Sequence, residues 1–435
     1  MDMTVSPKLV RHLSATTVPW LLVVSLVLAE SAFAEPAGST AVFVTGNGQP
    51  PTADARPAVR AAVSFSEPTV VERAAKTERK RPAPAFRSSV RDARPQKQVP
   101  AISEPDASAE LLLSAHELSL QAASEQQYTA IAEKCSEALR LGASGDKKTF
   151  ARQLLSWAMN RRGQLRLDAG EQLTAAADFE TAVDYHPGNW RALHNRGVSH
   201  AQTNRFAEAF DDFNRVIELY PDYAKAYSNR ATLFVQAKYF ESALADYHQA
   251  SVLDPGMATA HVGQGRVCHV LGRLDEAVEH FSRAVQVDPT NADIICSRGD
   301  LLADMGRYAS ALANYARTVE LNPDCGHAYR NGAWLLATCP NKEFRDVESA
   351  LLGARQVLKI GYGEHHVALD TLAAALANAG EFEEAVQTIS LAIDQAPEEA
   401  KFAYLARLRM YKDRQPFRTE PVGEVAHAVY RPADR

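Results

Sequence analysis

The sequence predicts an all-α fold: a superhelical solenoid of helix–turn–helix repeats behind a disordered, Pro-rich linker. Three periodic observations carry this. Small residues recur 34 positions apart in two series, at Gly163, Gly197, Ala231, Gly265, Gly299 and Ala333, and at Ala175, Ala209, Ala243, Ala277 and Ala311. Aromatic residues keep the same period at Phe179, Phe213, Tyr247, Phe281 and Tyr315. Prolines keep it at Pro187, Pro221, Pro255, Pro289 and Pro323. Registers that share one period over five copies are the mark of stacked supersecondary units.

The elements follow in chain order. Residues 1–34 read as an export signal: Lys8, Arg11 and His12, then the apolar run Val18–Ala29, then the small-residue motif Ala32-Phe33-Ala34. The run is too short to span a bilayer comfortably, so after cleavage the chain is expected not to be transmembrane, and to be periplasmic or extracellular. Residues 35–105 form the linker, with ten of the chain's 22 prolines and no apolar period to offset the entropy of ordering. Between Arg73 and Lys97 it carries nine Lys or Arg against Glu78 and Asp92. This makes a basic tether, which as a solvated spacer could also touch an anionic envelope surface. Net charge over all 435 residues is −6, which argues against nucleic acid as a partner.

A degenerate helical hairpin is expected over 106–155, marked by Leu118, Tyr128 and Ala138. Seven repeats are expected over 156–399. In each, two amphipathic helices approach at the small residues, the aromatic ring fills the space between them, and the proline ends the second helix. One hairpin cannot bury its apolar face, whereas stacked neighbours can. Residues 400–412 read as a capping helix, with Phe402, Leu405, Leu408 and Tyr411 at helical spacing, and 413–435 as a disordered tail.

The units "LHNRGVSHAQTNRFAEAFDDFNRVIELYP", "YSNRATLFVQAKYFESALADYHQASVLDP", "HVGQGRVCHVLGRLDEAVEHFSRAVQVDP" and "ICSRGDLLADMGRYASALANYARTVELNP" resemble the tetratricopeptide repeat (TPR) family. The resemblance covers the small, aromatic and proline positions; the aromatic near the start of each unit is less regular. It implies a concave groove lined by the first helices, which takes extended peptides or partner helices. Carried over position by position, the groove site is Asn195, Asn229 and Asn331, with Arg191, Lys225, Arg330 and Trp334 nearby. An Asn amide can donate to a peptide carbonyl and accept from its N–H together, which suits backbone recognition. Gly263 and Ser297 interrupt the ladder, and Asp300 and Asp304 make the fifth unit acidic.

No catalytic residue, cofactor or metal ligand is expected. "GASGDKKT" at 142–149 lacks the phosphate-loop spacing. His365-His366 reads as a solvated loop pair, and Cys268 as a buried small hydrophobe. Cys325 and Cys339 bracket one helix and should not pair with each other. The functional expectation is an exported scaffold for protein–protein or protein–peptide interaction. Two alternatives stand beside it: an envelope tether acting through the basic linker, and a regulatory subunit of a glycosyltransferase-type system without a catalytic domain of its own.

The sixth unit departs from the period. Five extra residues separate its small positions Ala333 and Ala350. Pro340 is expected to stop the first helix after Cys339, Asp346 to cap the second, and Gly361 and Gly363 to replace the terminal proline.

Overall fold

The computed structural model describes residues 106–420; the signal segment, the linker and positions 421–435 lie outside the described residues. The described residues form helices with no strand. They divide into two compact units, residues 106–255 and 256–420.

The first unit stacks four hairpins. Its helices are α1 (Ala107–Ser119), α2 (Glu125–Arg140), α3 (Gly145–Asp168), α4 (Gln172–Tyr185), α5 (Trp190–Gln202), α6 (Phe206–Leu219), α7 (Ala224–Gln236) and α8 (Phe240–Leu253). Side-chain caps explain several starts. Asp106 accepts from the Ser108 and Ala109 amides, and Ser124 forms a reciprocal capping box with Gln127. Helix α3 runs unbroken through position 155, where the periodicity placed a boundary.

The second unit contains α9 (Ala258–Val270), α10 (Leu274–Val287), α11 (Ala292–Asp304), α12 (Tyr308–Leu321), α13 (Gly326–Thr338), α14 (Val347–Ile360), α15 (His365–Ala379), α16 (Phe382–Gln395) and α17 (Glu398–Lys412). A single 3-10 turn, Lys342–Phe344, lies between α13 and α14.

Within both units the periodic residues do what their spacing implies. Phe179, Phe213, Phe281 and Tyr315 are buried, as are Ala175, Ala209, Ala277 and Ala311. A Cβ on Gly197 would meet the Phe213 ring at 2.8 Å, so the close approach of α5 and α6 depends on glycine there. Burying each ring stabilises the fold by about 2–3 kcal/mol relative to leaving it exposed. The turns repeat as well. Gly170, Asn204, Lys238, Gly272 and Gly306, each 34 apart, take positive φ and so close the first helix of each pair.

The sixth unit breaks that rule as its sequence foretold. Helix α13 ends with Cys339 at its C-cap, before Pro340. Asp346 caps α14 by accepting from the Ser349 amide at 2.8 Å, and Gly361 ends that helix with φ +71°. The added residues are stitched down. The Asn341 side chain accepts from the Glu343 amide, Arg345 Nη1 donates to the Cys339 carbonyl, and Phe344 meets Tyr308 edge-on at 5.8 Å.

Three expectations are corrected. His365 and His366 begin α15 rather than lying in a loop, and His366 is buried with Nδ1 2.8 Å from Tyr404 Oη. In α17 the buried residues are Tyr404 and Tyr411, while Phe402 is 83% exposed and Leu405 42%. The helix is rotated so that Tyr404 reaches the polar start of α15, which an apolar stripe alone could not show. Residues 417–419, within the tail expected as disordered, lie against α13.

Candidate peptide-binding face

The first helices of the repeats position every predicted groove residue, and the structure shows what those side chains already hold. Asn195 on α5 donates through Nδ2 to Asn160 Oδ1 of α3 at 2.9 Å. Asn229 on α7 is 3% exposed and places Nδ2 3.0 Å from His194 Nε2 on α5. Asn331 on α13 donates to Asp300 Oδ1 of α11 at 2.7 Å. All three amides therefore bridge from one repeat to the preceding one. In each pair the donor of one repeat meets a polar residue 31 to 35 positions earlier.

The His194 bridge has an electrostatic consequence. Burial, assisted by the charge of Lys225, lowers the imidazole to about 4, against a smaller opposing pull from Asn195. The ring is thus neutral at pH 7, with Nε2 accepting from Asn229. Arg191 lies over Trp190, 4.1 Å from the ring centroid, and Trp190 stacks on Tyr220 at 4.8 Å. These residues make an aromatic and basic corner at the start of α5.

The second unit brings together a different set. Trp334 on α13 does not stand open. The Phe417 ring packs on it at 5.7 Å, and the Arg407 guanidinium of α17 lies 5.4 Å from its centroid. Beyond Phe417 the chain stays pinned. Arg418 Nη1 donates to the Ala337 carbonyl at 2.8 Å, and the Thr419 amide donates to the Thr338 carbonyl at 2.9 Å. The segment 417–419 is thus held on α13 by one aromatic ring, one guanidinium and one main-chain amide. Arg407 also pairs with Asp370 through two contacts of 2.8 Å, which fixes its plane under Phe417. Arg330 faces Tyr362, and Phe344 faces Tyr308.

The repeat architecture and a sequence comparison now agree. A family model described as tetratricopeptide repeat matches residues 160–224 and 296–338, and one described as TPR repeat matches residues 265–306. The chain carries tetratricopeptide repeats over these residues. No curated protein matches it. Among solved structures, pilF of Pseudomonas aeruginosa matches at 18% identity over 49% of this chain and 94% of its own, with a TM-score of 0.44. A tetratricopeptide repeat protein from Parabacteroides merdae matches at 18% over 62% and 99%, with a TM-score of 0.41. YrrB, described as a TPR protein with an unusual peptide-binding site, matches at 20% over 46% and 98%, with a TM-score of 0.37.

The TPR units hold two further features that the sequence reading passed over. One is a clamp between the helices of a hairpin. Arg162, Arg196 and Arg230 each reach an Asp sixteen residues later, at Asp178, Asp212 and Asp246. The signal was available as a fifth series of period 34. In the fifth repeat the clamp is Arg298 donating to Asn314 at 2.9 Å, and burial without a carboxylate lowers the Arg298 guanidinium.

The other feature is the surround of Asp300. Tyr315 Oη donates to its Oδ1 at 2.9 Å, and His327 Nε2 lies 2.9 Å from its Oδ2. Burial works to raise this carboxyl. The bond and charge of His327, with Asn331 and Tyr315, outweigh it and hold the group below its ordinary value. The neighbouring thiols of Cys296 and Cys325 are in hydrogen-bonding contact, which pushes Cys296 up and holds Cys325 down.

No helix among the described residues is long and apolar enough to cross a membrane. Repeats of this kind support a protein-interaction scaffold, typically non-catalytic.

Proposed function

We propose that this TPR protein is an exported scaffold, periplasmic or extracellular, that holds an extended segment of a partner protein on the face around Trp334. The observation that carries the reading is the chain's own segment 417–419, seated there by one aromatic ring and two carbonyl contacts. A partner would present the same chemistry: an aromatic residue, then a cation, in extended backbone. It would displace the tail to bind. The nine Lys and Arg between Arg73 and Lys97 favour an accompanying contact with an anionic envelope surface, which would place the scaffold without competing for this face.

The test compares the full chain with a variant ending at Gln415. A fluorescent peptide with the sequence of residues 413–422 should bind the shortened chain and bind the full chain at least about 10-fold more weakly, because the linked tail competes at high effective concentration. Trp334→Ala should abolish binding to the shortened chain. Equal binding to both chains, or binding indifferent to Trp334→Ala, would refute the reading.

A further inference from the structure

Two turns before Trp334 on the same helix, α11 and α13 bring together three side chains whose chemistry the interaction reading leaves unused. Cys296 and Asp300 lie one turn apart on α11, and His327 lies in the first turn of α13. The Cys296 Sγ, a carboxylate oxygen of Asp300 and a ring nitrogen of His327 all lie within 4.8 Å of one another. Cys325, at the N-cap of α13, is in hydrogen-bonding contact with Cys296. We propose that Cys296, Asp300 and His327 form a binding site for a divalent transition-metal cation of the zinc class, with the Cys325 thiol adjoining.

Four observations support it. The ligand types are a borderline set: thiol, imidazole and carboxylate suit zinc, whereas calcium and magnesium take oxygen. Tetrahedral bonds of about 2.0–2.3 Å set ligand atoms about 3.3–3.8 Å apart, so separations of up to 4.8 Å would close by about 1 Å at most around an ion, while the His327–Asp300 pair, now at 2.9 Å, would open by about 0.4 Å.

The surrounding groups also orient the ligands as metal sites require. Tyr315 Oη and Asn331 Nδ2 both donate to Asp300 Oδ1, at 2.9 and 2.7 Å, which turns Oδ2 toward His327. On the far side of the ring, His327 Nδ1 lies 3.2 Å from Tyr362 Oη. With Nδ1–H donated there, Nε2 presents a lone pair to the cluster. Nε2 lies 2.9 Å from Asp300 Oδ2, and a cation bound there would take the place of the proton that otherwise joins the two. It would also displace the Asn331 Nδ2 contact to Nε2 at 2.9 Å, because a ring nitrogen has one lone pair.

Tyr362 reaches this position because residue 326 is glycine. A Cβ there would run into Tyr362 Cβ and Cγ. Finally, the site is reachable from solvent: Cys296 is buried, while the His327 and Asp300 side chains are 35% and 32% exposed.

The test uses the full chain, freed of metal by a chelator and kept reduced so that Cys296 and Cys325 remain thiols. Titration with cobalt(II) chloride should produce thiolate-to-metal charge-transfer absorption that saturates at one ion per chain, and zinc chloride should bleach it. Cys296→Ser should remove the charge-transfer band, and His327→Gln should weaken affinity by at least about 10-fold. Tyr362→Phe, which leaves all three ligands in place, should weaken it by about 10-fold through the lost orientation of His327. Far-UV circular dichroism of each variant checks that the helices persist. Absence of a saturable band in the wild-type chain, or a band unchanged by Cys296→Ser and His327→Gln, would overturn the proposal and leave Asp300 and His327 as a simple ion pair.

Discussion

The buried His194 makes acid sensitivity a local and calculable property of the first unit. Its ring takes a proton in the unfolded chain at about 6.5 and in the folded chain at about 4. Above pH 6.5 both states are neutral, and the residue contributes no pH dependence. As pH falls below 6.5 the unfolded state binds the extra proton first, so stability falls; the loss is complete once pH passes the folded value near 4. At 1.36 kcal/mol per pH unit, a shift of about 2.5 units corresponds to about 3 kcal/mol. The structural reason is plain. Protonation would place an Nε2–H against the Asn229 Nδ2 donor at 3.0 Å, in a site without water access. The direct assay is NMR titration of the imidazole carbons in the full chain, with His194→Gln assigning one signal among 13 histidines. The chain should also lose less stability between pH 7 and pH 4.5 as His194→Gln than as wild type, by about 2–3 kcal/mol in urea melts of the first unit. A His194 titrating at or above 6.5, or identical pH slopes in the two chains, would refute the burial argument.

Two further outcomes follow from single residues. Asp212→Ala removes both contacts to Arg196, at 2.6 and 3.0 Å, and leaves a guanidinium only 23% exposed without its carboxylate. This should destabilise the first unit by about 2–4 kcal/mol, read as a lowered urea midpoint, because stranding a largely buried charge costs more than the pair contributes. Asp346→Ala removes the acceptor of the Ser349 amide and should lower the stability of the second unit by about 1 kcal/mol, measured the same way.

What the sequence made legible was whatever repeats or punctuates. The 34-residue registers placed every small and aromatic core position from Gly163 to Tyr315, because burial constrains residue size at fixed spacing. Pro340 and Asp346 were legible for the opposite reason: each acts on its own backbone, with no distant partner needed. The groove residues were placed on the correct helices, but their engagement was not readable. Asn229 looks like a free amide until His194, one residue before the equivalent register of the preceding repeat, is seen to face it. Sequence spacing gives the face a side chain occupies, not which neighbour across the helix pair reaches it first. His366 and the segment 417–419 failed for the same reason, since their partners Tyr404, Ala337 and Thr338 lie 38 to 81 positions away.

The lengthened turn and the docked tail are two parts of one backbone problem. A helix leaves its last four carbonyls without partners. In a regular repeat the turn supplies them: after α5, the Thr203, Asn204 and Arg205 amides return to the Ser199, Ala201 and His200 carbonyls. After α13, Pro340 has no amide hydrogen to give, and the chain leaves without the left-handed residue that folds it back. The Cys339 amide still reaches the Leu335 carbonyl, and Asp346, at the far end of the insertion, reaches that of Leu336. The Ala337 and Thr338 carbonyls receive nothing from the turn. They are bonded instead by Arg418 and Thr419, 81 residues further along. The insertion thus turns an ordinary helix end, which would have capped itself, into two aligned acceptors beside a tryptophan. The tail segment is therefore held by acceptors that the insertion leaves without local donors, which is why it docks on the repeat whose turn departs from the period.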